Sequence, residues 1–250
     1  TFPKGASEVA FIGDKKIQIA GIAKGSGMIA PDMATMLSFI FTDANISSDV
    51  LQTLLSRNAQ NTFNAITVDS DASTSDTLLL FATGAAKSVV PTSADDPVLK
   101  DFESALQSVM LNLAKQIVCD GEGAQKLIQV DVTGATSKKS AHKIGLAIAN
   151  SPLVKTAIAG GDANWGRVVM AVGKSGEKAN ANSISVCFGK TTIAEKGAVV
   201  EGYDEAPVTE HLQGREIYLA VDVGLGNGKS TVWTCDLTHG YIDINADYRS

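Results

Sequence analysis

A layered α/β fold is what this 250-residue sequence predicts, on three observations. Apolar or alternating runs of strand length recur along the chain. Two long segments repeat apolar residues at helical spacing. Glycine- and asparagine-rich turns separate them. In order, residues 9–12 and 16–20 alternate and turn at Gly13-Asp14, which reads as a hairpin. After a glycine-rich loop, 36–42 reads as a strand. Ser47 or Ser48 caps a helix whose apolar face is Val50, Leu51, Leu54, Leu55 and Ala59. Residues 65–68 and 77–83 read as buried strands flanking an acidic Ser/Thr loop. Asp95-Asp96-Pro97 starts a helix with proline in its first turn. Behind it, Phe102, Leu106, Val109, Leu113 and Ile117 recur at helical spacing. Residues 127–132 form a further strand.

After Thr133-Gly134 the texture changes. A short helix at 141–150 precedes a Gly/Asn-rich middle and strands at 183–188, 216–223 and 230–235. The expected organisation is a layered α/β domain over 1–133, carrying the glycine-rich loop, and a C-terminal α/β domain over 134–250. A net charge of −6 and the lack of any Lys/Arg run argue against a nucleic-acid-binding surface. No apolar stretch is long enough to span a bilayer as a helix, so no membrane partner is expected. The opening Thr1-Phe2-Pro3-Lys4-Gly5 lacks the regions of a signal peptide. Cys119, Cys187 and Cys235 are odd in number, widely spaced and set among apolar residues. They read as reduced core thiols of a cytoplasmic protein rather than a disulfide framework or metal site.

The chemistry concentrates in Lys24-Gly25-Ser26-Gly27-Met28-Ile29-Ala30-Pro31-Asp32-Met33-Ala34-Thr35. If the Ala34–Thr35 bond breaks, Thr35 gains a free α-amine beside its hydroxyl. Such an amine has a pKa near ~8 and can act as the base that an ordinary threonine lacks. On residues alone, the same segment also reads as a glycine turn ahead of a buried strand. Lys24 could hold a carboxylate as a point charge or be a solvated lysine. Glu122, in the turn Asp120-Gly121-Glu122-Gly123, could meet an ammonium group or be an exposed acid. Asp69, Asp71 and Asp76 lack the pattern of a calcium loop and read as a Ser/Asp turn network. Around Gly161 to Arg167, Asp162 is expected to cap a helix and Trp165 to be buried, with Arg167 able to reach a carboxylate. Gly228-Lys229-Ser230 and Gly173-Lys174-Ser175 lack the first glycine of a phosphate loop. His142, His211 and His239 have no metal spacing and read as surface or packing residues.

Taken together, the segment from Lys24 through Thr35-Met36-Leu37, the run Thr67-Val68-Asp69-Ser70-Asp71-Ala72-Ser73-Thr74-Ser75-Asp76-Thr77, the turn Asp120-Gly121-Glu122-Gly123-Ala124, the stretch Gly161-Asp162-Ala163-Asn164-Trp165-Gly166-Arg167 and the ending Asn245-Ala246-Asp247-Tyr248-Arg249-Ser250 resemble, in the same order, the glutamate/ornithine N-acetyltransferases of arginine biosynthesis (ArgJ type). The resemblance implies a sandwich similar to N-terminal-nucleophile hydrolases but distinct in topology. It implies self-cleavage at Ala34–Thr35, with Thr35 as nucleophile and Lys24, Thr35, Glu122, Asn245 and Ser250 binding substrate. It also implies transfer of acetyl from N-acetyl-ornithine to glutamate, releasing ornithine, without metal or cofactor. Acetyl-CoA is a second donor in bifunctional members. An oxyanion hole from a longer α-chain segment and an α2β2 heterotetramer follow from the same likeness. That α portion is expected to extend well beyond residues 1–34, so the sequence reads as part of a longer product. The rival functions are an N-terminal-nucleophile aminopeptidase or amidase, and a catalytically inactive amino-acid-binding fragment.

Overall fold

In the computed structural model, which describes residues 1–28, 36–71 and 75–247, the chain divides into two units. One comprises 1–66 with 71–120, the other 67–70 with 121–250. The first opens on the expected hairpin. β1 (Lys4–Ile12) and β2 (Lys15–Lys24) pair antiparallel, and β2 pairs antiparallel with β3 (Leu37–Thr42). After α1 (Ser48–Ala59), β4 (Thr77–Ala82) lies parallel to β3, giving the order β1-β2-β3-β4. Alternation selects the inner face, where Ile17, Ile19 and Ile40 are fully buried. α2 (Lys100–Cys119) covers that face with Phe102, Leu106, Val109, Leu113 and Ile117, the residues whose spacing predicts it. Gly21 lets the helix approach, since a Cβ there would lie 2.8 Å from the Leu113 side chain. The helix starts later than Asp95-Asp96-Pro97 suggests. Pro97–Leu99 first forms a 3₁₀ turn, in which Asp96 accepts from the Val98 N–H. Lys4 and Asp120, 2.5 Å apart and largely buried, tie the start of β1 to the end of α2.

Residues 65–68 are not the expected strand. A 3₁₀ turn (Phe63–Ala65) gives way to an isolated bridge at Ile66, and Thr67 to Ser70 belong to the second unit. There the Thr67 N–H donates to the Trp233 carbonyl at 3.0 Å and its hydroxyl to Asn150 Oδ1 at 2.7 Å. These apolar residues are buried one by one, not as a ladder.

The second unit runs β5 (Leu127–Ala135), α3 (Lys138–Ala149), α4 (Pro152–Ala159), α5 (Trp165–Lys174), β6 (Ser185–Phe188), β7 (Thr191–Glu195), β8 (Ala198–Val199), α6 (Ala206–Gln213), β9 (Glu216–Asp222), β10 (Gly228–Cys235) and α7 (His239–Ala246). Its sheet has the order β10-β5-β9-β6-β7-β8, with β5 and β9 parallel and the other neighbours antiparallel. The division between the units falls ahead of β5, and the change of texture at Thr133-Gly134 lies inside that strand. Ile128, Val130 and Val132 alternate into the core with Ile217, Leu219 and Val221, and α3 packs on β5 and β10. Between β5 and β10, the Thr231 hydroxyl donates to Asp131 at 2.6 Å and the Trp233 indole to Gln129 at 3.1 Å.

Three expectations need correction. Asn164, not Asp162, caps α5, its side chain accepting from the Arg167 N–H at 3.1 Å. Trp165 is only half-buried. Of the cysteines, none in a disulfide, Cys119 is exposed, Cys187 half-buried and Cys235 buried. Among the described residues, no helix is long and apolar enough to cross a membrane.

Candidate functional site

Lys24 closes β2, and its Cα pairs with that of Leu37, the first residue of β3. The antiparallel register therefore sets this lysine against the segment that follows Thr35 in the chain. Met36, between them in sequence, is held at both backbone groups. Its N–H donates to Asp76 Oδ1 at 2.6 Å, and its carbonyl accepts from the Thr77 N–H at 2.9 Å. A short bond to a carboxylate is among the strong ones, so the start of β4 grips the residue next to the expected nucleophile. At Met28 the backbone takes a φ of 51, a left-handed conformation rare for a long side chain. Ala34 and Thr35 themselves lie outside the described residues.

The second unit assembles another part of the expected set. Glu122 lies in the turn that leads into β5, closed by the Ala124 N–H donating to the Gly121 carbonyl at 2.9 Å. That turn is pressed against the start of α7. Gly123 has a φ of 69, and a Cβ on it would sit 2.5 Å from the Tyr241 nitrogen and 2.6 Å from the Gly240 carbonyl carbon. The Thr238 hydroxyl joins the two, donating to the Gly123 carbonyl at 2.7 Å and accepting from the Gly240 N–H at 3.2 Å. One turn along α7, the Asn245 side chain donates to the Tyr241 carbonyl at 3.0 Å, while the Tyr241 hydroxyl donates to Asp69 at 3.3 Å. Glu122, Asp69 and the helix carrying Asn245 are thus brought together; Ser250 lies outside the described residues. Glu122 Oε2 is buried with no hydrogen-bond partner among the described residues. Leaving a buried carboxylate oxygen unbonded costs about 1–3 kcal/mol or more, which a ligand ammonium would offset. Beside α7 lies a cleft of about 640 Å³ bordered by Thr156, Leu237, Thr238, His239, Tyr241 and Ile242, in the size range of small-molecule sites.

Behind this cluster, Lys155 is only 3% exposed. Its ammonium donates to the Val68 carbonyl and, at 3.1 Å, to the Thr234 hydroxyl, and it lies 4.0 Å from the Cys235 sulfur. Burial holds its pKa below that of an ordinary lysine, and the Cys235 thiol, pushed up to about 11 chiefly by burial, stays protonated and unreactive. The sequence hides both Lys155 and the grip of Asp76 on Met36. A lysine flanked by Val154, Ala157 and Ile158 on the buried side of α4 is the signal for the first. The second emerges only once β3 and β4 lie parallel. His211 packs as expected, its Nε2 accepting from the Tyr218 N–H at 2.9 Å. Among the described residues, no group of three or more His, Cys, Asp or Glu is arranged to hold a metal ion.

The sequence model of the ArgJ family matches residues 1–250. The chain is 60% identical, over its whole length and 59% of the relative's, to an arginine biosynthesis bifunctional protein ArgJ from Gluconobacter oxydans. Identity is 59% to that from Ruegeria pomeroyi, again over all of this chain and 60% of the relative's. The chain thus spans about three fifths of the length of these relatives. A crystal structure of the ArgJ protein from Bacillus halodurans superposes with a TM-score of 0.82 at 43% identity, covering 86% of this chain and 100% of that one.

Proposed function

Since the chain belongs to the ArgJ family, we propose that it forms the nucleophile-bearing part of a cytoplasmic acetyltransferase that moves acetyl from N-acetyl-ornithine to glutamate through an ester on Thr35. The observation that carries this reading is the register setting Lys24 against Leu37, two residues past Thr35, in a chain that the family matches from end to end. In self-cleavage the Thr35 hydroxyl attacks the Ala34 carbonyl. The acyl group shifts from nitrogen to oxygen, which breaks the peptide C–N bond and frees the α-amine, and water then opens the ester, releasing the Ala34 carboxylate and restoring the Thr35 hydroxyl.

In the transfer reaction, the α-amine takes the Thr35 hydroxyl proton as the oxygen bonds to the acetyl carbon of N-acetyl-ornithine. The amide C–N bond then breaks, and the same proton goes to the departing ornithine amine. Glutamate's amine next attacks the ester carbonyl, its proton passes through the Thr35 α-amine to the Thr35 oxygen as the ester C–O bond breaks, and Thr35 leaves as its hydroxyl. Each tetrahedral oxyanion needs preorganised donors, which we assign to the further polypeptide present in the longer relatives. Lys24 holds the substrate α-carboxylate, Glu122 the cationic end of ornithine, and Asn245 and Ser250 complete the pocket. The working unit is an α2β2 heterotetramer whose layered sandwich is similar to N-terminal-nucleophile hydrolases, and acetyl-CoA serves as a second donor.

Intact-mass spectrometry of the full-length product, incubated with N-acetyl-ornithine, tests the reading. A species heavier by one acetyl group, mapped to Thr35, is expected to appear and to vanish on adding glutamate. Thr35→Ala is expected to abolish both processing and labelling. Release of the acetyl group by water alone, or processing retained in Thr35→Ala, would overturn it.

A further inference from the structure

We infer that Lys155 is a positioning residue for the substrate pocket: its buried ammonium fixes the segment Thr67–Ser70, and that segment sets the helix carrying Asn245. The inference deepens the proposed function, since it takes the Glu122 turn and α7 as walls of the pocket. Lysine is among the residues least often fully buried, yet Lys155 is 3% exposed. Its neighbours Val154, Ala157 and Ile158 line the buried side of α4. A methionine there would pack as well, without the cost of taking a charge out of water. The ammonium instead directs its donors to distant parts of the chain. They reach the Val68 carbonyl and, at 3.1 Å, the Thr234 hydroxyl, with the Cys235 sulfur 4.0 Å away.

What the lysine fixes cannot hold itself. Thr67 to Ser70 lie in no helix or strand. Ser70 has a φ of 70, a left-handed conformation that persists only where the surroundings enforce it. Next to the pinned Val68 carbonyl, Asp69 accepts from the Tyr241 hydroxyl at 3.3 Å. α7 depends on contacts of this kind, because it is eight residues long and none of its side chains is buried. So short a helix needs tertiary partners to keep its place. The Tyr241 carbonyl in turn accepts from the Asn245 side chain at 3.0 Å. Displacing Tyr241 therefore displaces the residue assigned to substrate.

A second arm runs to the other wall. Asp236 is 2% exposed, and its Oδ1 accepts from the N–H groups of Gln125 at 2.8 Å and Lys126 at 2.9 Å, the residues that follow the Glu122 turn. Its Oδ2 is buried with no hydrogen-bond partner among the described residues. A buried carboxylate in that condition is tolerated when a cation compensates it. Burial chiefly disfavours the charge on Lys155, and Asp69 and Asp236 are among the groups that favour it. One ammonium thus compensates the two carboxylates that fasten the two walls.

The test combines steady-state kinetics and hydrogen exchange on the product of the complete gene. Lys155→Met and Tyr241→Phe are each expected to raise KM for N-acetyl-ornithine roughly tenfold, the weight of one hydrogen bond to a charged group. Their kcat should stay within about threefold of the parent. The double variant is expected to be little worse than either single one, as residues acting in one chain of contacts are. In Lys155→Met, the amides of α7 should exchange about tenfold faster while those of β5 and β9 hold their rates. A merely structural lysine gives other results: a lower kcat from fewer folded molecules at unchanged KM, KM effects that multiply in the double variant, or exchange accelerated equally in β5 and α7. Any of these would overturn the inference. Should Lys155→Met fail to fold, Tyr241→Phe and Asp69→Asn carry the KM and exchange measurements, and parental values in both would sink it. The exchange measurement needs no turnover. Loosening of α7 in Lys155→Met, with no acetyl found on Thr35, would count against the proposed acetyl transfer while supporting the hold of Lys155 on α7.

Discussion

Replacing Gly123 by alanine probes the joint between the Glu122 turn and α7. The backbone there has a φ of 69, so any Cβ adds about 1 kcal/mol or more of strain. The new methyl would also sit 2.5 Å from the Tyr241 nitrogen, 2.6 Å from the Gly240 carbonyl carbon and 2.9 Å from its Cα. All three are backbone atoms, so no side-chain rotation relieves the clash, and the helix start must retreat by roughly half an ångström or more. That retreat stretches the 2.7 Å bond from Thr238 to the Gly123 carbonyl, worth about 1 kcal/mol. Overpacking adds about 1–3 kcal/mol, so the total loss should reach about 3–5 kcal/mol. Gly161→Ala is the matched control: its φ of 75 carries the same backbone strain, but nothing lies within 4 Å of its Cβ. Urea unfolding should show Gly161→Ala losing about 1 kcal/mol and Gly123→Ala several times that. In the enzyme, Gly123→Ala should also raise KM for N-acetyl-ornithine through the displaced Glu122 and Asn245, and Gly161→Ala should not. Equal stability losses, or an unchanged KM in Gly123→Ala, would refute the argument that this close approach builds the pocket.

Three further outcomes are expected. Asp76→Ala removes the 2.6 Å acceptor of the Met36 N–H, worth about 1.5–3 kcal/mol for a charged partner. Self-cleavage in a time course on gels should slow about tenfold or more, with Asp76→Asn partly restoring it. Lys24→Met should raise KM for the acetyl donor about 10–100-fold while processing continues, as loss of a substrate charge contact predicts. The Cys235 thiol, raised from 9.0 to about 11, keeps its proton in the folded state after the unfolded chain has released it. Stability from this group is therefore whole below 9.0 and falls as pH rises to about 11, by about 3 kcal/mol in all. Lys155, whose pKa is lowered by burial, acts in the opposite sense, its folded form shedding its proton first. Urea midpoints across that window should fall less, or rise, in Cys235→Ala compared with the parent.

Local periodicity made the first unit legible. Alternation in 9–12 and 16–20 located β1 and β2 but not their full reach, since Lys4 and Lys24 lie at ends that pairing, not pattern, defines. Helical spacing from Phe102 to Ile117 found α2 because a long amphipathic stripe repeats its signal. The short helices α4 to α7 are eight to ten residues long and repeat too little to be read. Residues 65–68 look like a strand because they are apolar, yet their partners lie far along the chain. The candidate site divides in the same way. Lys24 and Glu122 stand in recognisable segments, whereas Asp76, Tyr241 and Lys155 act through contacts that only the fold creates.

The four residues Thr67 to Ser70 have a consequence for how the polypeptide matures. Their anchors arrive late in synthesis: Tyr241, which reaches Asp69, is 172 positions downstream, and Lys155, which holds Val68, is 87. A ribosome must therefore emit nearly the whole message before this short strap can be fastened. Nascent chains halted ahead of β10 should leave it accessible to a protease, and those released after α7 should not.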